Sequence, residues 1–151
     1  MVSEFEAERE RTVAELRAAR AGLIDLVSGL SDSDLGRGRR GQWTIAGVLD
    51  HVLESDLQYA RLILALRGQE RPGQSLDPTD TASVAAAAKA LATTRDLILR
   101  AADGVDEETF YRLGGGHQQY SVLSTLENVT LHDHEHGAQI QQVMAGVPPA
   151  T

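Results

Sequence analysis

Along most of the chain, apolar residues recur every three or four positions, the spacing of one face of an α-helix. The alternation expected of a half-buried strand is nearly absent. Phe5, Val13, Leu16, Ala19, Leu23, Leu26, Val27 and Leu30 form the first stripe, with Ser3 and Glu6 spaced as a capping box, which predicts a helix over roughly 3–30. Ser31-Asp32-Ser33-Asp34-Leu35 predicts a short capped turn. The loop from Gly36 to Gly41 follows, and its Arg37, Arg39 and Arg40 read as solvated charges.

A second helix over roughly 44–67 begins at Trp43-Thr44, with Thr44 as N-cap, and runs through Ile45, Val48, Leu49, Val52, Leu53, Leu57, Ile63 and Leu64. Its apolar residues cover more than one face, so it packs on two sides. Gly68 to Thr79 is a turn-rich connection. Asp80 or Thr81 caps a third helix over roughly 81–103, through Val84, Ala88, Leu91, Ala92, Leu97 and Ile98. Periodicity lapses between Val105 and Tyr120, where Gly114-Gly115-Gly116-His117-Gln118-Gln119 reads as an exposed connector or as a mobile flap bringing His117 to a pocket. A last helix over roughly 121–145 carries Val122, Leu126, Val129, Ile140 and Val143, and Gly146, Pro148 and Pro149 end it. The pattern predicts an all-α fold, a four-helix bundle in one domain over 1–151.

Composition narrows the class. Hydrophobic residues make up 42% and aromatics 4% of the 151 residues, so the core is aliphatic. The formal charge of −8, with no basic stripe on any helix, argues against nucleic acid as a partner. There is no cysteine, so a metal site would have to use nitrogen and oxygen ligands. No apolar run approaches the roughly 18 residues of a membrane span, and the acidic amphipathic start does not look like a leader, so a cytoplasmic protein without a membrane partner is expected. The run Ala85-Ala86-Ala87-Ala88 permits a close helix crossing or the seam of a homodimer, and high helix propensity alone would also explain it.

The chemistry concentrates in Leu131-His132-Asp133-His134-Glu135-His136-Gly137-Ala138-Gln139-Ile140. His132 and His136 lie one turn apart on the apolar side of the last helix, and their Cβ atoms are then about 5–6 Å apart, close enough for both imidazoles to reach one ion. Asp133 lies within the same stripe. His134 is about 200° around the helix from His132 and should face solvent. A bare i,i+4 pair leaves two readings open, metal ligands or core histidines bonded to carbonyls and carboxylates. His51 falls about 130° from the centre of the second helix's main stripe, which by itself favours neither role. Asp50, Glu54 and Asp56 around it read as solvated charges, one of them available to hold a ligand histidine from behind.

Two words in this sequence resemble a known family. Gly41-Gln42-Trp43-Thr44-Ile45-Ala46-Gly47-Val48-Leu49-Asp50-His51-Val52 looks like the Trp-Ser/Thr start of the second helix in the DinB/YfiT-like metalloenzymes, with a histidine eight residues after the tryptophan. His132-Asp133-His134-Glu135-His136-Gly137-Ala138-Gln139-Ile140 is similar to that family's His-x-x-x-His followed by Gln-Ile. The resemblance spans nearly the whole chain and implies a divalent metal ion held by His51, His132 and His136, with zinc first and nickel or iron as alternatives. Asp133 and Glu54 are then candidates to support the ligand histidines. It also implies a small-molecule substrate and a low-molecular-weight thiol, in a thiol S-transferase or related isomerase. A non-catalytic bundle that binds a metal or small ligand, and a metal-free bundle with hydrogen-bonded histidines, are the competing readings.

Overall fold

In a computed structural model, residues 1–69, 81–114 and 119–146 are described. They form an all-α bundle of four long helices, α1 (Glu4–Ser28), α2 (Ile45–Leu66), α3 (Val84–Ala102) and α5 (Val122–Ala145), with a one-turn α4 (Glu107–Tyr111) and a 3-10 turn (Asp32–Gly36). Around the bundle the order is α1, α5, α2, α3, so α2 packs against both α3 and α5, and α1 against the same two. None of these helices is long and apolar enough to cross a membrane.

Local chemistry sets the helix ends. Ser3 and Glu6 make the expected reciprocal cap on α1, Thr44 accepts from the Gly47 amide, and Gly146 ends α5 in the left-handed region at φ 69°. Three expectations need correction. α1 stops at Ser28 rather than Leu30, because Gly29 closes it with bonds to the Asp25 and Val27 carbonyls. α3 is capped by Ser83 rather than Asp80 or Thr81, and the Thr81 hydroxyl instead donates to Asp50 at 2.7 Å. The non-periodic stretch after Val105 holds α4, a single turn too short to show a period, capped by Asp106 and anchored by buried Phe110, whose ring meets Phe5 edge-on at 5.4 Å. Of the glycine-rich stretch, residues 115–118, including His117, lie outside the described residues, as do residues 70–80 of the α2–α3 connection.

The core comes in two apolar halves. One contains Leu16, Ile63, Ile98, Phe110 and Leu126, the other Leu23, Leu49, Leu53, Leu91 and Ile140. Between these positions along each helix sits a buried charge: Arg20 on α1, Asp56 on α2, Arg95 on α3 and Asp133 on α5. Arg20 forks onto Asp133, Nε to Oδ2 at 3.0 Å and Nη2 to Oδ1 at 2.7 Å, and its Nη1 donates to Asp56 at 2.7 Å and to the Leu91 carbonyl at 2.8 Å. Arg95 donates to Asp133 at 3.0 Å and to the Leu16 carbonyl at 2.7 Å, and the Thr94 hydroxyl donates to Asp56 at 2.6 Å. Two cations and two carboxylates thus cancel inside the core. Burial works against the Arg20 charge, but its bonds to Asp133 and the field of both carboxylates hold its pKa above the ordinary value. At Arg95, burial and then repulsion from Arg20 outweigh the same carboxylates and push the pKa down. Asp56, read from sequence as a solvated charge, is 1% exposed.

Removing one member leaves the others charged and unpaired in the core, which costs about 3–5 kcal/mol. Asp133→Ala and Asp56→Ala should each lose about that much in urea unfolding at neutral pH. Asp96→Ala breaks an exposed pair, Arg100–Asp96, and should cost under about 1 kcal/mol. Equal costs at Asp133 and Asp96 would contradict the reading of the layer.

Candidate metal centre

α2 and α5 are neighbours, and the face between them gathers three imidazoles from the two helices. Nε2 of His132 is 3.1 Å from Nε2 of His51 and 2.9 Å from Nε2 of His136, and one nitrogen from each ring lies within 4.8 Å of the other two. The rings meet edge to face, with centroids 4.2 to 5.0 Å apart. His132 and His136 are brought together by the turn of one helix. His51 reaches them because α2 is covered on two flanks, by α3 and by α5, and a position off the main stripe faces the second neighbour.

A neutral imidazole nitrogen carries either one hydrogen or one lone pair, so Nε2 of His132 cannot make a full hydrogen bond to both of its neighbours. A cation at the common point resolves the conflict, since all three lone pairs can then point inward. A tetrahedral-like ion bound at about 2.1 Å sets nitrogens about 3–3.5 Å apart, close to the two spacings to His132, and the His51–His136 pair lies within 4.8 Å. Gln139 supports this arrangement. Its amide oxygen is 2.8 Å from Nδ1 of His136, where it can accept the Nδ1 hydrogen of the tautomer that leaves Nε2 with its lone pair. The residues present therefore fit a metal ion, and three histidines leave further coordination positions open.

Two of the rings, His51 and His132, are also kept neutral. Burial pushes the His132 pKa down to about 4, with the charges of His136 and His51 adding to the effect and Asp56 and Asp133 opposing it. His51 is lowered as well, by burial first and His136 second, with Glu54 opposing.

Asp133, expected as a possible support for a ligand histidine, spends both oxygens on Arg20 and Arg95. It anchors the backbone beside His132 rather than bonding to a ring. Glu54 is exposed and acts on His51 through its charge. His134 is exposed on the other side of α5, in a groove lined by Ala18, Gly22 and Leu26 of α1. Sequence reasoning missed Gln139 as a partner of His136, although its i+3 spacing and its place in the Gln-Ile word were visible. It also missed Arg20 and Arg95, which fall within the apolar stripes of α1 and α3. Arg37 and Arg39 do more than meet solvent, because they donate to the Met144 and Gly146 carbonyls at the end of α5.

A family model described as the DinB superfamily matches residues 6–140. Comparison with curated proteins and with solved structures gave no match.

The lowered His132 value gives a pH dependence with a definite sign. In the metal-free protein the unfolded chain takes up a proton near the ordinary 6.5, which folded His132 refuses until about pH 4. Stability from this group is therefore fully present above 6.5 and lost as pH falls through that window. Thermal unfolding of chelator-treated protein should show a falling Tm over this range, and His132→Gln should flatten the profile. Identical profiles for the two proteins would contradict it.

Proposed function

The chain belongs to the DinB superfamily, and from that premise we propose that His51, His132 and His136 hold one divalent cation in a metal-dependent enzyme. The observation that supports this most is the convergence of three Nε2 atoms, 3.1 and 2.9 Å from their common neighbour, on a face that also holds a partner for the Nδ1 hydrogen of His136. Zinc suits three imidazoles with open positions, and nickel or iron suits imidazole donors as well. When bound, such an ion supplies Lewis acidity and keeps a coordinated thiol deprotonated near neutral pH. The reaction class we assign is transfer of a low-molecular-weight thiol to an electrophilic small molecule, or a related isomerisation.

The chain's own residues have separable parts in this. Neutral His51 and His132 offer lone pairs at physiological pH without first losing a proton, because burial has already lowered their pKa values. Gln139 can accept the Nδ1 hydrogen of His136 in its binding tautomer. Glu54, one turn along α2 from His51 and exposed, is the carboxylate we assign to receive the proton of a thiol arriving at this face. The buried charges below fix α2 against α5, so that the three rings keep their mutual distances.

Metal analysis of protein purified without a nickel column tests the site. Wild type and His134→Ala should carry one ion per chain, and His51→Ala and His136→Ala should lose it. Gln139→Leu should bind the ion about 10–100-fold more weakly, the usual effect of removing such a partner. Wild type without a stoichiometric ion would overturn the proposal. Loaded protein that forms no thioether from a small thiol and 1-chloro-2,4-dinitrobenzene, or from other electrophiles, would leave a metal-binding bundle without this activity.

A further inference from the structure

Trp43 is the only tryptophan of the chain, and it is 51% exposed beside the three histidines. Its indole centroid is 4.9 Å from that of His51, with the planes tilted by 48°. An exposed aromatic on a loop would ordinarily be free to wander. The backbone that carries this one is closely packed. A Cβ on Gly38 would sit 2.8 Å from the Trp43 carbonyl oxygen and 2.9 Å from Thr44 Cα, so the loop passes there only because residue 38 is glycine. A Cβ on Gly47 would lie 3.3 Å from the Trp43 Cβ, so the first turn of α2 likewise leaves room for the indole. The loop is tied at both ends, by the Ile45 amide donating to the Arg37 carbonyl at 2.9 Å and by Arg39 donating to the Gly146 carbonyl at 2.7 Å.

On the other flank, Tyr59 meets His132 edge-on at 5.9 Å and is half-buried. Of the carboxylates that bear on these rings, Asp56 and Asp133 are paired with Arg20 and Arg95, which leaves the exposed Glu54 on His51 and the exposed Glu135 on Tyr59. A second anionic group on a ligand would meet the charges of Glu54 and Glu135, whereas a neutral ring would meet the aromatic face of Trp43.

Resting on the reading that the histidines hold a divalent cation, we propose that Trp43 is a specificity-determining wall of the site. It selects small molecules that offer one metal-binding donor group on a neutral, ring-bearing body. The body lies against the indole while the donor group reaches the histidine cluster. The close passage of the loop at Gly38 sets where the Trp43 backbone lies, and so the side from which the indole meets the histidines.

Hydroxamates separate the two parts of this proposal, since acetohydroxamate and benzohydroxamate share the donor group and differ in the ring. With zinc-loaded wild type, calorimetry should show benzohydroxamate binding about 3–10-fold more tightly, the range expected of one aromatic contact. The same ligand should change Trp43 fluorescence, and acetohydroxamate should change it less. In Trp43→Leu the affinity ratio should fall to near one with zinc content unchanged, and Trp43→Phe should recover part of the preference. If Trp43→Leu keeps both its zinc and the full preference, the wall is overturned and the metal centre stands. If wild type retains no zinc, the metal reading itself fails and takes the wall with it.

Discussion

The charged layer formed by Arg20, Asp56, Arg95 and Asp133 constrains this molecule more than any single apolar contact, because each of the four long helices contributes one member. Apolar packing tolerates a shift of one helix along another, since one leucine can replace its neighbour. A buried arginine does not, because moving its partner by a turn leaves a charge in the core with nothing to cancel it. The layer therefore acts on which helices pair and at what level. Its contribution to net stability is smaller than its contact distances suggest, since four charges first had to leave water.

The histidine site inherits that precision. Arg20 bonds to Asp56 on α2 and to Asp133 on α5, the two helices that carry the imidazoles, and Asp133 follows His132 directly. The clamp thus sets the level at which His51 faces His132 and His136. Rings arriving from different helices meet nitrogen to nitrogen only if that level is held. Burial then keeps His51 and His132 uncharged, and the Gln139 amide oxygen can take the Nδ1 hydrogen of His136 so that its Nε2 lone pair points inward. Each of these effects comes from a different part of the chain.

Much of this was legible in the sequence wherever the cause is local. Helix caps at Ser3 and Thr44 follow from side chains within three residues, and the His132–His136 pair follows from the turn of one helix. His51 was not legible from its own helix. A wheel drawn on α2 puts it off the main stripe, and only the resemblance of its surrounding word to a family placed it with the other two. The charged layer was hidden more completely. A charge on a helix reads as solvated unless its partner is known, and the partners here are 36, 38 and 113 residues apart in sequence. Asp133 alone gave a sign, as a carboxylate in an apolar stripe.

The central claim is that three imidazoles from α2 and α5 share one cation. X-ray absorption at the zinc edge, on protein purified without a metal-affinity column and loaded to one equivalent, tests it directly. The account predicts about three imidazole nitrogens at ~2.0–2.1 Å, with their outer-shell ring scattering reduced by about one imidazole in His51→Ala. A spectrum dominated by carboxylate or water oxygens, or one unchanged in His51→Ala, would contradict it.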